Sequence, residues 1–233
     1  MLSLTQFKLE YAVLQWRYPF AVLHWDRSGA TWTDALLRWP KLKSVKAEPA
    51  NTVFTLDNKY QFSVSLEAAS VDAINPNLEE FARFADDFLS ILVKHLQIVE
   101  LRRIGFRSQF FRLYDDGAKA SADLAKAPFI RIPEGKRFGL EATPLFQRYS
   151  VRWETKSVGV LFSADVQRRT TTFEPPFGFR PAIESVTTDE NGIMLDIDYY
   201  TIAPTSTGAF KSVEWVPQVS RVVRRELETM LEQ

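Results

Sequence analysis

Residues 60–67 read Tyr-Gln-Phe-Ser-Val-Ser-Leu-Glu, with Tyr60, Phe62, Val64 and Leu66 alternating against Gln61, Ser63, Ser65 and Glu67. Successive side chains of a strand point to opposite faces, so this period of two describes a strand with one dry face and one wet face. Strands of that kind belong to antiparallel sheets covered on one side only. Phe7, Leu9, Tyr11 and Val13 repeat the pattern near the start, and Tyr149, Val151 and Trp153, then Val158 to Val166, repeat it late in the chain. NTVFTL reads as a further strand ending at the turn residues Asp57-Asn58. FAVLHW reads as another strand, and ATWTDALLRW as a short helix stopped by Pro40. The expected fold is α+β, an antiparallel sheet carrying two principal amphipathic helices.

The first of those helices is LEEFARFADDFLSILVKHL, 78–96, where Phe81, Phe84, Phe88, Leu92 and Leu96 recur at spacings of three and four. Asn77 stands at its N-cap, with Pro76 before it and Glu80 three residues on. The second lies at about 216–232, with Pro217 tolerated in its first turn and Val219, Val223, Leu227 and Met230 on one side. Between the halves, residues 117–147 are rich in Ala, Lys, Pro and Gly and read as a short helix, about 119–126, inside a connection. The division is therefore an N-terminal half, 1–116, the connection, 117–147, and a C-terminal half, 148–233, packing as one compact unit. Both halves read as several antiparallel strands with one long helix, which suggests structural duplication, although no sequence repeat is visible. Asp189-Glu190-Asn191-Gly192 reads as a hairpin joining IESVTT to IMLDIDYYTIA.

Composition excludes several chemistries. The 233 residues hold no Cys and two His, so disulfides, thiolate zinc sites, cysteine nucleophiles and a histidine-rich metal site within one chain are all removed. Lys plus Arg equals Asp plus Glu at 29 each, which removes a strongly basic domain as an argument for nucleic acid. The N-terminus has no basic end leading into an apolar run, and FLSILVKHL is too short and too charged to span a bilayer. A cytoplasmic location without a membrane role is expected. No phosphate-binding loop or dinucleotide fingerprint is present, and no cofactor is expected.

The segment LRRIGFRSQFF, 101–111, carries three arginines around one glycine. By the strand period, Ile104, Phe106 and Phe110 share one face, while Arg103, Gly105, Arg107 and Gln109 share the other. Arg103 and Arg107 stand roughly 13 Å apart along the strand, too far to clamp one anion but suited to successive charges on an extended partner. The glycine marks a bulge or the approach of another backbone. The competing reading is internal pairing with acids on a neighbouring strand, and MLDIDYY supplies them: Asp196 and Asp198 share a face with Met194 and Tyr200. That pairing requires the two strands to be close in space.

Two further readings concern metal and partners. Asp196 and Asp198 could hold a divalent cation with a third oxygen ligand, and Glu154-x-Lys156 has the spacing that metal-dependent nucleases use on a strand. The Phe-Pro loop FEPPFGFRP, with Phe177 and Phe179, could anchor in a partner's apolar groove. His95, near the end of its helix, and His24, in an aromatic neighbourhood, read as structural.

The chain also resembles, over most of its length, a sporadically distributed bacterial family with no settled activity. The matching pieces are YQFSVSLEA, LEEFARFADDFLSIL, RRIGFRSQF and IMLDIDYYTIA with a terminal helix after it. In that family the segment matching 103–109 reads Arg-hydrophobe-Gly-hydrophobe-Arg, then an aromatic and an Asn-Arg pair; here Ser108 and Gln109 occupy the positions after Arg107. The resemblance implies an α+β fold and a link to toxin–antitoxin or phage-defence loci. The leading functional expectation is a non-enzymatic protein-binding module using Arg103, Gly105, Arg107, Gln109, Phe177 and Phe179. The alternatives are a metal-dependent phosphodiesterase or nuclease using Glu154, Lys156, Asp196 and Asp198, and a nucleic-acid-binding protein. A homo-oligomer stays open.

Overall fold

A computed structural model describes residues 2–48, 50–130, 148–173 and 186–232. After a 3-10 turn at Leu4–Gln6 come strand β1 (Lys8–Arg17), helix α1 (Leu23–Arg38), strands β2 (Lys43–Glu48), β3 (Asn51–Leu56), β4 (Tyr60–Ser65) and β5 (Ala68–Ile74), and helix α2 (Leu78–Leu96). Next come β6 (Glu100–Leu101), β7 (Arg103–Tyr114), helix α3 (Gly117–Ala125), β8 (Arg148–Glu154), β9 (Val158–Phe173), β10 (Val186–Thr201), β11 (Thr205–Ser206) and helix α4 (Ser212–Glu232). Among the described residues nine strands form one sheet in the order β2-β3-β4-β5-β1-β7-β10-β9-β8, and β6 pairs separately with β11. Every neighbouring pair is antiparallel. The fold is α+β on an antiparallel sheet, and no helix among the described residues is long and apolar enough to cross a membrane.

The same order of elements occurs twice. A strand leads into a helix, a meander comes next, and a long helix closes the set; the opening strand then pairs with the last strand of the meander, β1 with β5 and β7 with β10. The two sets meet along β1 and β7, whose ladder runs from Lys8↔Phe111 to Arg17↔Arg103. Strand β7, placed by composition in the span 1–116, thus opens the second set. In chain order the segment 117–147, which includes α3, falls inside that set, because composition does not report where a sheet divides.

The four α-helices among the described residues all lie on one face of the sheet. Trp32 of α1 stacks on Phe54 at 4.8 Å, Phe81 of α2 meets Phe106 at 6.2 Å, and Tyr199 of β10 meets Trp215 of α4 at 6.2 Å. Phe129, just after α3, lies edge-on to Phe162 at 5.4 Å. The buried sheet residues Leu14, Trp16, Phe62, Val71, Ile104, Phe106, Leu195 and Phe162 form the floor of this core. The α2 N-terminus is capped as its sequence predicts, with the Asn77 side chain accepting from the Glu79 and Glu80 amides at 3.0 and 3.1 Å. Helices α2 and α4 are joined directly, since the Ser212 amide that opens α4 donates to Asp86 at 2.8 Å.

Four local expectations are corrected. The second long helix begins at Ser212 and not near 216, so Pro217 lies inside α4 and not in its first turn. FAVLHW is not a strand: its second half and the expected short helix form the single helix α1. The buried face of α1 includes His24, Thr31 and Ala35, so its helical period is hidden by polar residue types. Asp189-Glu190-Asn191-Gly192 is not a turn but part of β10, which pairs continuously with β9 from Val186↔Phe173 to Thr201↔Val158. Finally, the segment 101–111 is not one strand, because Leu101 ends β6 and β7 starts at Arg103; between them the Arg102 amide donates to the Arg17 carbonyl at 2.7 Å.

Candidate functional site

The second face of the sheet carries no helix among the described residues, and strand parity brings the sequence-predicted polar residues onto it. Ladder partners share a face, so Arg107 lies between Val13 and Asp198, Gly105 between Gln15 and Tyr200, and Gln109 between Tyr11 and Asp196. Strands β7 and β10 are neighbours, as pairing between the arginines and aspartates requires.

The pairing itself is diagonal. Arg107 stands opposite Asp198 but its guanidinium turns to Asp196, with Nε 2.8 Å from Oδ1 and Nη2 also bonded to the carboxylate. Gln109 Nε2 donates to the same carboxylate at 3.2 Å. This bidentate contact holds the Arg107 guanidinium above its usual pKa. Arg103 Nη2 reaches Asp198 Oδ2 at 2.7 Å by passing over Gly105, where an added Cβ would lie 3.0 Å from the guanidinium. Gly105 therefore makes room for a side chain of its own strand. No bulge interrupts the β1–β7 ladder at Gly105, and the irregularity in that ladder lies between Leu9 and Tyr11.

The network continues into Tyr200, into Glu154, which the sequence offered as a metal ligand, and into Arg152, which it did not single out. The Arg103 guanidinium lies 4.3 Å from the centroid of Tyr200, whose ring packs against Gly159. Tyr200 Oη accepts from Arg152 Nε at 2.9 Å and donates to Glu154 Oε1 at 2.7 Å, and Arg152 Nη2 also bonds Glu154. Burial and the adjacent carboxylate raise the Tyr200 pKa, while its hydroxyl and the Arg152 guanidinium hold Glu154 below the usual carboxylate range. At the far end of the face, Arg169 stacks 3.8 Å over Phe111 and pairs with Glu10 at 2.5 Å. Toward β5 the pattern changes: Asp72 has hydroxyl and amide partners, with Ser70 Oγ at 3.1 Å, and burial raises its pKa. Burial and Asp72 push Tyr11 up to about 12. The one sequence signal for Arg152 was its place two residues before Glu154 on one strand face; its contact with Tyr200 depends on the β8–β9 and β9–β10 registers.

The proposed metal ligands are not brought together. Asp196 and Asp198 are each bonded to an arginine, Glu154 is bonded to Arg152 and Tyr200, and Lys156 stands exposed in the turn after β8. Among the described residues no group of three or more His, Asp or Glu could hold a metal ion. Phe177 and Phe179 lie outside the described residues.

His95 Nε2 contacts the Asp34 carboxylate at 2.8 Å, which also takes Lys94 at 2.5 Å and ties α1 to α2. His24 is fully buried, and neither ring nitrogen has a hydrogen-bond partner. No family model matches this chain, and no curated protein matches it.

Proposed function

We propose that the protein is a non-enzymatic binding module that receives an acidic protein surface on its helix-free sheet face. The observation that carries this reading is the depth of the charges. In the Arg107–Asp196 pair the arginine side chain is 50% exposed and the aspartate 18%; in the Arg152–Glu154 pair the values are 62% and 43%. The carboxylates lie deeper and serve as the fixed base, while the outer edges of the guanidinium groups face solvent. Arginines held in this way keep free N–H donors at little further cost in side-chain entropy, which suits them to carboxylates on a partner. Arg103 contributes by stiffening the network, since it is locked between Asp198 and Tyr200. The bacterial setting and the defence or toxin–antitoxin context belong to the proposal on the strength of the family resemblance alone.

Affinity capture with the tagged protein, with mass spectrometry of the eluate, tests the reading against the double variant Arg107→Ala/Arg152→Ala. The expected result is a protein retained by the parent chain, released by added salt, and at least tenfold depleted on the variant. Equal retention by both chains would overturn the assignment of this face. Material that is released by nuclease treatment would instead point to nucleic acid.

A further inference from the structure

The two edges of the nine-stranded sheet differ. The β2 edge carries Lys43 and Lys46, a register shift between Ser44 and Lys46, and Pro49 just after it in the sequence, all features that discourage another strand from joining. Strand β8 has none of these. It pairs with β9 in unbroken register from Arg148↔Asp165 to Glu154↔Gly159, and it pairs with no other strand among the described residues.

The parity of that hairpin fixes which backbone groups are free. The Thr155 amide donates to the Val158 carbonyl at 2.8 Å, so 155/158 is a hydrogen-bonded pair. Alternation in an antiparallel ladder then directs the backbone of 149, 151 and 153 to β9, and that of 148, 150, 152 and 154 outward.

We infer that β8 is a self-complementary edge on which a second copy of this chain adds by antiparallel strand pairing, with the two-fold axis at Val151. About that axis Arg148 meets the partner subunit's Glu154, Tyr149 meets the partner subunit's Trp153, Ser150 meets the partner subunit's Arg152, and Val151 meets its own copy. The outward-directed residues 148, 150, 152 and 154 fall in the hydrogen-bonded positions, as a ladder demands. The Arg148 guanidinium has no partner among the described residues, whereas Glu154 is held 43% exposed by Arg152 and Tyr200. The two neighbouring registers fail on charge: one sets Arg148 opposite the partner subunit's Arg152, the other sets Arg152 opposite the partner subunit's Arg152, and like charges directly opposed are unfavourable. On the helix-bearing face the added strand covers Trp153, which is 47% exposed and borders an apolar groove of about 410 Å³ between β8–β10 and α4. The result is a closed two-fold dimer with one continuous sheet.

The absence of cysteine from the chain provides a clean test. Sedimentation of the parent protein is expected to show a mass rising toward two chains with concentration, and Arg148→Glu to weaken association about tenfold, since the symmetry loses two ion pairs and adds repulsion. Ser150→Pro removes an outward amide that the fold does not use and is expected to be a folded monomer by circular dichroism. Under mild oxidation Val151→Cys, at the axis, is expected to cross-link to a dimer faster than Ser150→Cys or Arg152→Cys, because only residue 151 faces its own copy. A parent chain that stays monomeric at every concentration, a dimer that survives in Ser150→Pro, or faster linking at 150 or 152 would each overturn the inference.

Discussion

At the residue scale, the helix-free face depends on three glycines used for space. An added Cβ would lie 2.4 Å from Tyr200 Cζ at Gly159 and 2.2 Å from Phe111 Cζ at Gly192, where the Arg112 carbonyl is also only 2.5 Å away. At Gly105 the nearest atom is the flexible end of Arg103, at 3.0 Å. Gly192→Ala and Gly159→Ala are therefore expected to cost about 1–3 kcal/mol, because a packed ring or backbone must move, and Gly105→Ala under about 1 kcal/mol, because only a guanidinium must shift. Chemical denaturation of the three variants checks the order. A larger loss at Gly105 than at Gly159 would show that the Arg103–Asp198 contact matters more to stability than the aromatic packing.

At the scale of elements, each long helix was legible where its own sequence supplied both the apolar stripe and the cap. For α2 the stripe and Asn77 agree, and the observed bounds equal those read from the pattern. Replacing Asn77 by Ala removes an acceptor shared by two amides and is expected to cost about 1 kcal/mol, read as a shift in denaturation midpoint without a change in slope. Helix α1 is hidden in the sequence because its buried positions include a histidine and a threonine, polar residue types that mask the helical period. The supposed turn at 189–192 has the composition of a hairpin, yet it continues as strand. A local propensity of a fraction of a kcal/mol per residue yields to a β9 ladder that is continuous across 189–192, with pairing to β7 added from Asn191 onward.

For the whole molecule, the pH dependence of stability stems from where ionisable groups sit. His24 is buried without a hydrogen-bond partner, and burial lowers its pKa. The unfolded chain then takes up the proton more readily, so this contribution is intact above the ordinary histidine value near 6.5 and declines as pH falls below it, by at most about 1.4 kcal/mol per pH unit. Asp34, Glu80, Glu154 and Asp189 have lowered values through their bonds to Lys94, Tyr60, Tyr200 and Arg168 respectively, and their contributions fade in a second window, as pH falls from about 4 through the folded values. Asp72 acts in the opposite sense, because its raised value favours the protonated folded form in acid. Stability measured from pH 8 to pH 5 is expected to decline below about 6.5 in the parent protein and to stay level in His24→Phe. An unchanged decline in His24→Phe would assign it to other groups.

The sequence by itself determined the alternation of wet and dry strand faces, the two long helices, and the sharing of one face by Arg103, Gly105, Arg107 and Gln109, and of another by Asp196, Asp198 and Tyr200. Each of these is a property of side-chain period within one element. Only the tertiary structure decided that β7 and β10 are neighbours, that Arg107 turns to Asp196 and Arg103 to Asp198, that Arg152 joins through Tyr200, and that β8 ends the described sheet. Those facts depend on strand order and register, and register is set by the packing of a whole core face against four helices, which no single stretch of sequence encodes.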